Sequence, residues 1–281
     1  MAAMTQTKPS GRSVPSTAGT ELGVPADEPH GAKGRSAAEN ETVAIAAADL
    51  CRELDGRMVL QSLNFEVRRG EFVALLGANG AGKSTLLKIL AMLLPATSGK
   101  LELFGEPCGL EAARLRARIG LIGHGAMLYR DLSPMENLTF FGRLYGVREP
   151  AKRARDLLDW LELSWRANDP VKTFSRGMLQ RVAIARALMH EPDLLLADEP
   201  FAGLDAPSMD SLSSMLTALH GQGRTIILTN HDIVQSIQLA HRAIVLRQGE
   251  IVLDGPTNSM DARTVLAEVR GDECDDRGGA A

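Results

Sequence analysis

Short apolar runs of strand length alternate with helical patterns along most of the chain. Residues 71–76, 193–197 and 225–229 are compact apolar runs, each about as long as a buried strand. Residues 84–94 and 208–220 instead carry apolar side chains at helical spacing. Strands that alternate with helices favour a parallel sheet whose two faces are covered, so this pattern predicts an α/β fold.

Two further regions break this alternation. Residues 43–45 and 63–67 have strand character on either side of the turn signal Asp55-Gly56, which predicts an antiparallel β subdomain near the start of the domain. Residues 114–176 are rich in Leu, Ala and Arg and contain no apolar run of comparable strength. We therefore expect an inserted α-helical subdomain there.

The two ends of the chain differ in composition from its middle. Residues 1–41 contain few large apolar side chains and many turn formers, which predicts a flexible tail. Residues 263–281 are interpreted as an acidic C-terminal tail. The folded domain is therefore expected between residues 42 and 262.

Charge and hydropathy narrow the class of protein. The 281 residues include 31 Lys and Arg against 35 Asp and Glu, and the net charge of −4 argues against a nucleic-acid partner. The sequence has no run of roughly 18 consecutive apolar residues, the length that a spanning helix needs. Its three scattered cysteines and the lack of a secretory signal pattern predict a protein of the cytosol.

A glycine-rich segment between the first buried strand and the following helix fits the pattern G-x-x-x-x-G-K-[ST] in full, from Gly77 to Ser84. Glycines let successive backbone N–H groups turn toward phosphate oxygens, and the start of a helix favours an anion. We expect Lys83 to contact the β and γ phosphates of a nucleotide and Ser84 to bind Mg²⁺. The predicted phosphate-binding residues are Gly77, Asn79, Gly80, Gly82, Lys83, Ser84 and Thr85.

Two adjacent carboxylates, Asp198 and Glu199, end the second buried strand. Carboxylates at the C-terminal edge of a parallel strand point into the crevice where ligands bind. We predict that Asp198 holds Mg²⁺ and that Glu199 orients or deprotonates the attacking water, although a solvated acidic turn is the simpler alternative. His231 follows the third strand and is a candidate donor to the γ-phosphate, or else an ordinary loop residue.

Together with the segment Phe174-Ser175-Arg176-Gly177-Met178 and the segment 201–205, these motifs make the chain resemble the ATP-binding subunit of an ABC transporter. The similarity spans roughly residues 43 to 256. It implies a P-loop NTPase fold with a RecA-like parallel sheet, an antiparallel β subdomain and an inserted α-helical subdomain. It also implies ATP hydrolysis with Mg²⁺ as cofactor.

The resemblance further implies a dimer in which each ATP lies between the glycine-rich loop of one protomer and the signature segment of the other. Ser175 and Gly177 would then contact the partner's nucleotide, and Asp205 would link the two sites. His124 stands where the family has a glutamine, which makes it a candidate catalytic residue that titrates near neutral pH. Leu54 stands where the family has an aromatic residue that stacks on adenine.

Within the family, the segments 132–140 and 144–146, together with Leu50-Cys51 and Gly123-His124, resemble the ATP-binding subunit of the bacterial heme exporter for cytochrome c maturation. This resemblance implies a homodimer on the cytoplasmic side of the inner membrane, attached to integral membrane permease subunits and without direct contact to the cargo. Met127, Leu128 and Met135 are the candidate permease contacts, or else part of the packed core. The alternatives are a drug, lipid or polysaccharide exporter, and a soluble non-transport ABC ATPase.

Overall fold

The computed structural model describes residues 43–109, 112–123 and 125–270. Its ten strands within those residues are β1 (Val43–Leu54), β2 (Arg57–Arg68), β3 (Phe72–Gly77), β4 (Ser98–Leu103), β5 (Glu106–Pro107), β6 (Ile119–Ile122), β7 (Leu194–Asp198), β8 (Thr225–Thr229), β9 (Arg242–Arg247) and β10 (Glu250–Pro256). Its helices are α1 (Lys83–Leu90), α2 (Ala112–Arg116), α3 (Pro134–Leu144), α4 (Pro150–Trp160), α5 (Arg176–Leu188), α6 (Ala206–Gly221), α7 (Ile233–Leu239) and α8 (Ala262–Arg270). The tail predicted at residues 1–41 lies outside the described residues.

Two sheets form the framework. The first has the order β2-β1-β4-β5 and is antiparallel throughout, with β1 and β2 joined at the predicted turn. The second has the order β10-β9-β3-β8-β7-β6, and its strands from β9 to β6 are parallel. The parallel strands are mostly buried, as expected when both faces of a sheet are covered. The predicted α/β fold class is confirmed.

The parallel sheet separates two apolar cores because side chains along a strand alternate between its faces. Along β3, Phe72, Ala74 and Leu76 pack with the helices of the α-helical side. Val73 and Leu75 pack on the opposite face with α1 and the antiparallel sheet. The C-terminal ends of the parallel strands therefore form one rigid edge, with a packed layer on each side.

The structure corrects three predicted boundaries. The segment 114–176, expected to be helical, contains the edge strand β6, which pairs in parallel with β7. A Cβ at Gly120 of β6 would lie 2.7 Å from the carbonyl oxygen of Ala187, so this glycine lets α5 pack closely on the strand. The short length of β6 and its glycine made the strand hard to recognise.

The other two corrections concern helix ends. The helix predicted at 84–94 ends at Leu90, because Met92 adopts the left-handed conformation with φ of 56°. The C-terminal tail predicted from residue 263 overlaps α8, whose buried Val265 packs against the core. Residues 271–281 of that predicted tail lie outside the described residues.

Candidate functional site

The loop between β3 and α1 has a backbone that only glycine adopts without strain. Gly77, Gly80 and Gly82 have φ values of 148°, 81° and 108°. A Cβ at Gly77 would collide with the carbonyl oxygen of Leu246, and one at Gly82 would lie 2.6 Å from Leu60 Cδ2. Two of the three glycines are thus required by both conformation and space, and the loop ends at the N-terminus of α1.

Lys83, the first residue of α1, folds back over this loop. Its Nζ donates hydrogen bonds to the carbonyl oxygens of Gly77 at 2.7 Å and Ala78 at 2.9 Å. Burial lowers the pKa of the Lys83 ammonium, and the carboxylates of Glu199 and Asp198 act in the opposite direction. The side chain is 5% exposed, so its charge is held at the loop. The other predicted phosphate contacts, Asn79 and Gly80, are exposed, and Thr85 is half-buried.

A chain of hydrogen bonds joins α1 to the ends of two adjacent strands. Ser84 Oγ donates to Asp198 Oδ1 at 3.1 Å, and Thr229 Oγ1 donates to the same oxygen at 2.8 Å. The backbone N–H of Glu199 donates to Thr229 Oγ1 at 2.9 Å. Because β7 and β8 pair with Asp198 opposite Thr229, the parallel register brings these side chains together.

Glu199 continues this chain of contacts toward His231. Its Oε1 lies 2.8 Å from His231 Nε2, and the side chains of His231 and Glu199 are 51% and 20% exposed. Glu199 has a φ of 51°, an uncommon conformation for a residue other than glycine, and such strain is typical of functional sites. The structure therefore brings together Lys83, Ser84, Asp198, Glu199 and His231, as the sequence predicts for one site.

These residues fit a magnesium-nucleotide complex. Ser84 Oγ and Asp198 Oδ1 are two hard oxygen ligands already next to each other, and Lys83 and the glycine-rich backbone supply the positive side of an anion site. The described residues contain no group of three or more His, Cys, Asp or Glu side chains that could hold a metal. Mg²⁺ typically binds through one or two protein oxygens together with substrate phosphates and water.

The signature segment lies at the N-terminus of α5, apart from this cluster. Ser175 is the N-cap of α5 and accepts a hydrogen bond from the backbone N–H of Met178 at 3.3 Å. A Cβ at Gly177 would lie 2.7 Å from Ser208 Oγ, so the glycine permits close packing of α5 on α6. Neither residue hydrogen bonds to the phosphate loop among the residues that the structure describes. Their predicted contact with a nucleotide stays a prediction.

Arg176 gives this segment a feature that the sequence did not reveal. Its guanidinium lies against Gly203, where a Cβ would collide with Arg176 Nη1. Gly203 adopts a φ of 70° in the turn before Asp205, the N-cap of α6. Hydrogen bonds from Ser208 lower the pKa of the Asp205 carboxyl. Arg176 thus connects the start of α5 with the loop that leads into α6.

Two sequence expectations and one residue that the sequence did not indicate remain to be placed at this site. His124 lies outside the described residues, although Gly123 directly follows β6 and so lies at the same edge of the sheet as Asp198. Leu54 ends β1 and is half-buried. Thr229 was not predicted: a buried Thr at the end of a strand has no distinctive sequence signal, and its importance comes from the pairing of β7 with β8.

Comparison with known proteins places these motifs in a family. Residues 60–202 match the model of the family described as ABC transporter. The linearmycin resistance ATP-binding protein of Bacillus subtilis (strain 168) is 34% identical over 221 residues, which cover 78% of this chain and 71% of that protein. The Nod factor export ATP-binding protein I of Cupriavidus pinatubonensis is 37% identical over 223 residues, covering 78% and 69%.

A solved structure agrees with these sequence relatives. The dimeric post-hydrolysis structure of an ATP-binding cassette bound to ADP and phosphate superposes with a TM-score of 0.70 at 26% identity, covering 77% of this chain and 100% of that one. No helix within the described residues is long and apolar enough to cross a membrane.

Proposed function

The chain belongs to the family of ABC transporter ATP-binding proteins, and with that premise we propose that it powers export of a drug-like, lipid or polysaccharide cargo through separate membrane permease subunits. It is the ATP-hydrolysing subunit of an ABC exporter. The observation that carries the chemical proposal is the continuous contact chain from Ser84 through Asp198, Thr229 and Glu199 to His231, beside the glycine-rich loop.

The names of the relatives bear on the cargo. They concern resistance to linearmycin and export of Nod factor, and neither names heme. Heme export, predicted from sequence segments, stays a prediction, while the alternative of a drug, lipid or polysaccharide exporter has the support of these relatives. Most of the sequence that suggested heme, residues 132–140 and 144–146, lies in or beside α3 and outside the contact chain from Ser84 to His231.

We assign the following roles at the catalytic edge. Lys83 and the backbone N–H groups of the loop hold the β and γ phosphates. Ser84 and Asp198 hold Mg²⁺, which when bound neutralises charge that develops on the phosphates. Glu199 orients the attacking water and accepts its proton, and His231 holds Glu199 in position and donates to the γ-phosphate.

The signature segment completes this site in a second protomer. Ser175 and Gly177 place the N-terminus of α5 at the surface, where its free N–H groups suit an anion. Because neither residue hydrogen bonds to the loop of its own chain, the proposal assigns them to the nucleotide held by the partner. A homodimer with two equivalent sites is the simplest assembly with this arrangement.

An apolar cavity marks the proposed permease contact. It has a volume of about 140 Å³ and lies near the C-terminal ends of α1, α3 and α5, beside α2 and β6. Among its lining residues, Leu93 is 60% and Met127 is 48% exposed. Of the other predicted contacts, Leu128 and Met135 pack against the protein's own core, which leaves Met127 as the available one. We propose that a cytoplasmic helix of the permease docks here, which would place the chain peripherally on the cytoplasmic side of the inner membrane.

The test is affinity purification of the tagged full chain from its native membrane in mild detergent. Co-purified membrane proteins are identified, and ATP hydrolysis and heme absorbance are measured on the same sample. We expect permease subunits, magnesium-dependent hydrolysis and no bound heme. The Glu199→Gln variant is the matched control, because it should retain the permease and lose hydrolysis. Heme absorbance with cytochrome-maturation subunits would restore the heme interpretation, and ribosomal partners without a permease would reject the exporter.

A further inference from the structure

A second, larger groove lies between the end of α3 and the start of α4, and the proposed function does not use it. The groove has a volume of about 590 Å³ and is open to solvent. Its charged lining residues are Arg143, Arg148, Glu149, Lys152 and Arg155. Four cations against one carboxylate make the groove positive, although the chain as a whole has a net charge of −4.

Three of the four cations are not neutralised within the protein. Arg143, Arg148 and Arg155 are exposed, and none of them forms a hydrogen bond or ion pair with another residue in the part of the chain that the structure describes. They differ in this from Arg242, whose Nε lies 2.7 Å from Asp254 Oδ1. Positive charge is therefore concentrated in the groove, where an anion from outside the protein can neutralise it.

Apolar side chains lie at the rim of this basic groove. Leu144 and Phe140 occur four residues apart on α3, so they share a face, and they are 70% and 43% exposed. Tyr145, which follows Leu144 in the chain, is 39% exposed and lines the apolar cavity. Basic residues beside exposed aromatic and aliphatic ones are typical of surfaces that bind the membrane interface.

We propose that this basic groove binds the anionic headgroups of membrane phospholipids and orients the chain against the bilayer. The inference rests on the proposed function, since only a membrane-attached subunit has a bilayer within reach. Arg143, Arg148 and Arg155 contact lipid phosphates, and Leu144 enters the apolar boundary beside them. Gly146 lines the groove and the preceding residue, Tyr145, lines the proposed permease cavity, so the two contacts are neighbours on the protein surface.

A bilayer suits this surface better than an acidic protein segment. The three arginine side chains are all exposed, whereas an interface anchor for a protein is usually held in a well-packed pocket. The net negative charge on the rest of the chain is repelled by an anionic membrane, so attraction is confined to the groove. This restriction gives the chain one preferred orientation.

The test measures binding of the purified full chain, without nucleotide, to vesicles at low salt. One set contains phosphatidylglycerol and phosphatidylcholine in equal parts, and the other contains phosphatidylcholine alone. The groove variant carries Arg143→Gln, Arg148→Gln and Arg155→Gln. The control variant carries Arg57→Gln, Arg68→Gln and Lys100→Gln, which removes the same charge from exposed positions on the antiparallel sheet.

We expect wild type and the control variant to bind the anionic vesicles, and the groove variant to bind about 100-fold more weakly, at an unchanged rate of ATP hydrolysis. Equal binding by the groove and control variants would overturn the inference. Displacement by soluble glycerol phosphate, at the same phosphate concentration as the lipid, would also overturn it and indicate a free-phosphate site. A groove variant that binds vesicles normally but no longer co-purifies with the permease would point to an acidic protein segment. Vesicle binding is measured without ATP, so its failure is separate from failure of the exporter proposal.

Discussion

The phosphate-loop edge of the sheet and the N-terminus of α5 differ in how far hydrogen bonds within the chain hold their residues in place. At the edge, Lys83 is held by hydrogen bonds to the glycine-rich loop, and Asp198 and the backbone of Glu199 are held by hydrogen bonds that cross between α1, β7 and β8. At the start of α5, Ser175 makes hydrogen bonds only within its own helix, among the residues that the structure describes. One region is organised by its own chain, and the other presents unsatisfied helix N–H groups at the surface.

This difference shows how one fold provides two parts of a nucleotide site that have different structural requirements. The first half needs charges held at fixed positions, and a parallel sheet provides them because the ends of its strands meet at one edge. The second half needs only backbone donors at the start of a helix, which require no partner in the same chain. If a second protomer completes the site, substitutions at the edge should abolish the hydrolysis step. Substitutions at the start of α5 should instead prevent two protomers from forming a complete site.

The largest effect is expected at the end of β7. Glu199→Gln keeps the shape and removes the group that accepts the proton of the attacking water, so kcat for ATP hydrolysis should fall roughly 10²- to 10⁴-fold. Nucleotide affinity should be retained, because Lys83 and the loop are untouched. Steady-state hydrolysis and nucleotide binding on the same preparation measure the two quantities.

Glu250→Gln is the matched control for that experiment. Glu250 is an exposed carboxylate at the start of β10, so its neutralisation should leave kcat at the wild-type value. Hydrolysis by Glu199→Gln at the rate of the control would remove Glu199 from the proposed mechanism.

The second prediction tests whether the two regions cooperate between chains. Lys83→Ala destroys the phosphate loop and Ser175→Arg obstructs the start of α5, and each variant alone should be nearly inactive as a homodimer. A mixture forms heterodimers in which one site combines an intact loop with an intact α5. Hydrolysis should therefore recover in part on mixing, and a mixture no more active than its components would show that both regions act within one chain.

The third prediction concerns Thr229, which links Asp198 to the backbone of Glu199. Thr229→Val removes the hydroxyl that joins them and leaves the buried Glu199 N–H with a single acceptor, the carbonyl oxygen of Thr229 at 3.2 Å. Without this hydroxyl the carboxylates of Asp198 and Glu199 should shift. We expect kcat to fall by about tenfold, because a displaced charge stabilises the transition state less well. Stability should fall by roughly 1 kcal/mol, measured by denaturant unfolding.

Thr225→Val provides the control at the other end of the same strand. Thr225 is equally buried and its Oγ1 accepts a hydrogen bond from the N–H of Gly70, far from the catalytic edge. We expect a similar loss of stability with kcat unchanged. A fall of kcat in both variants would mean that Thr229 acts through stability alone.

The contrast between local and long-range features also explains what the sequence could predict. The phosphate loop was predictable because its glycines, Lys83 and Ser84 are consecutive and each backbone requirement is local. Thr229 was not, because its contact with Asp198 exists only through the pairing of strands 31 positions apart. Strand β6 escaped detection for a related reason: four residues with one glycine carry a weak local signal, and pairing with β7 supplies the stability.

The smallest expected effect is a pH dependence of stability that arises away from both regions. Burial lowers the pKa of His190, which stacks on Tyr145 with ring centroids 3.9 Å apart and lies 3.0 Å from the carbonyl oxygen of Ile119 through Nε2. His190 therefore takes up a proton more readily in the unfolded chain than in the folded one. Its contribution to stability is present above the pKa of the unfolded chain and decreases as the pH falls through that value, near 6.5.

Thermal unfolding of the nucleotide-free chain at a series of pH values measures this contribution. Wild type should lose a few degrees in Tm on acidification from neutral pH, and His190→Phe should show a shallower decline, because the stacked ring is kept and the titrating group is removed. His220, whose pKa burial also lowers, should account for part of the remaining slope. A decline in Tm of the same steepness in wild type and His190→Phe would mean that His190 does not couple protonation to folding. In the double variant His190→Phe/His220→Phe we expect Tm to depend on pH still less than in His190→Phe, which would separate the two contributions.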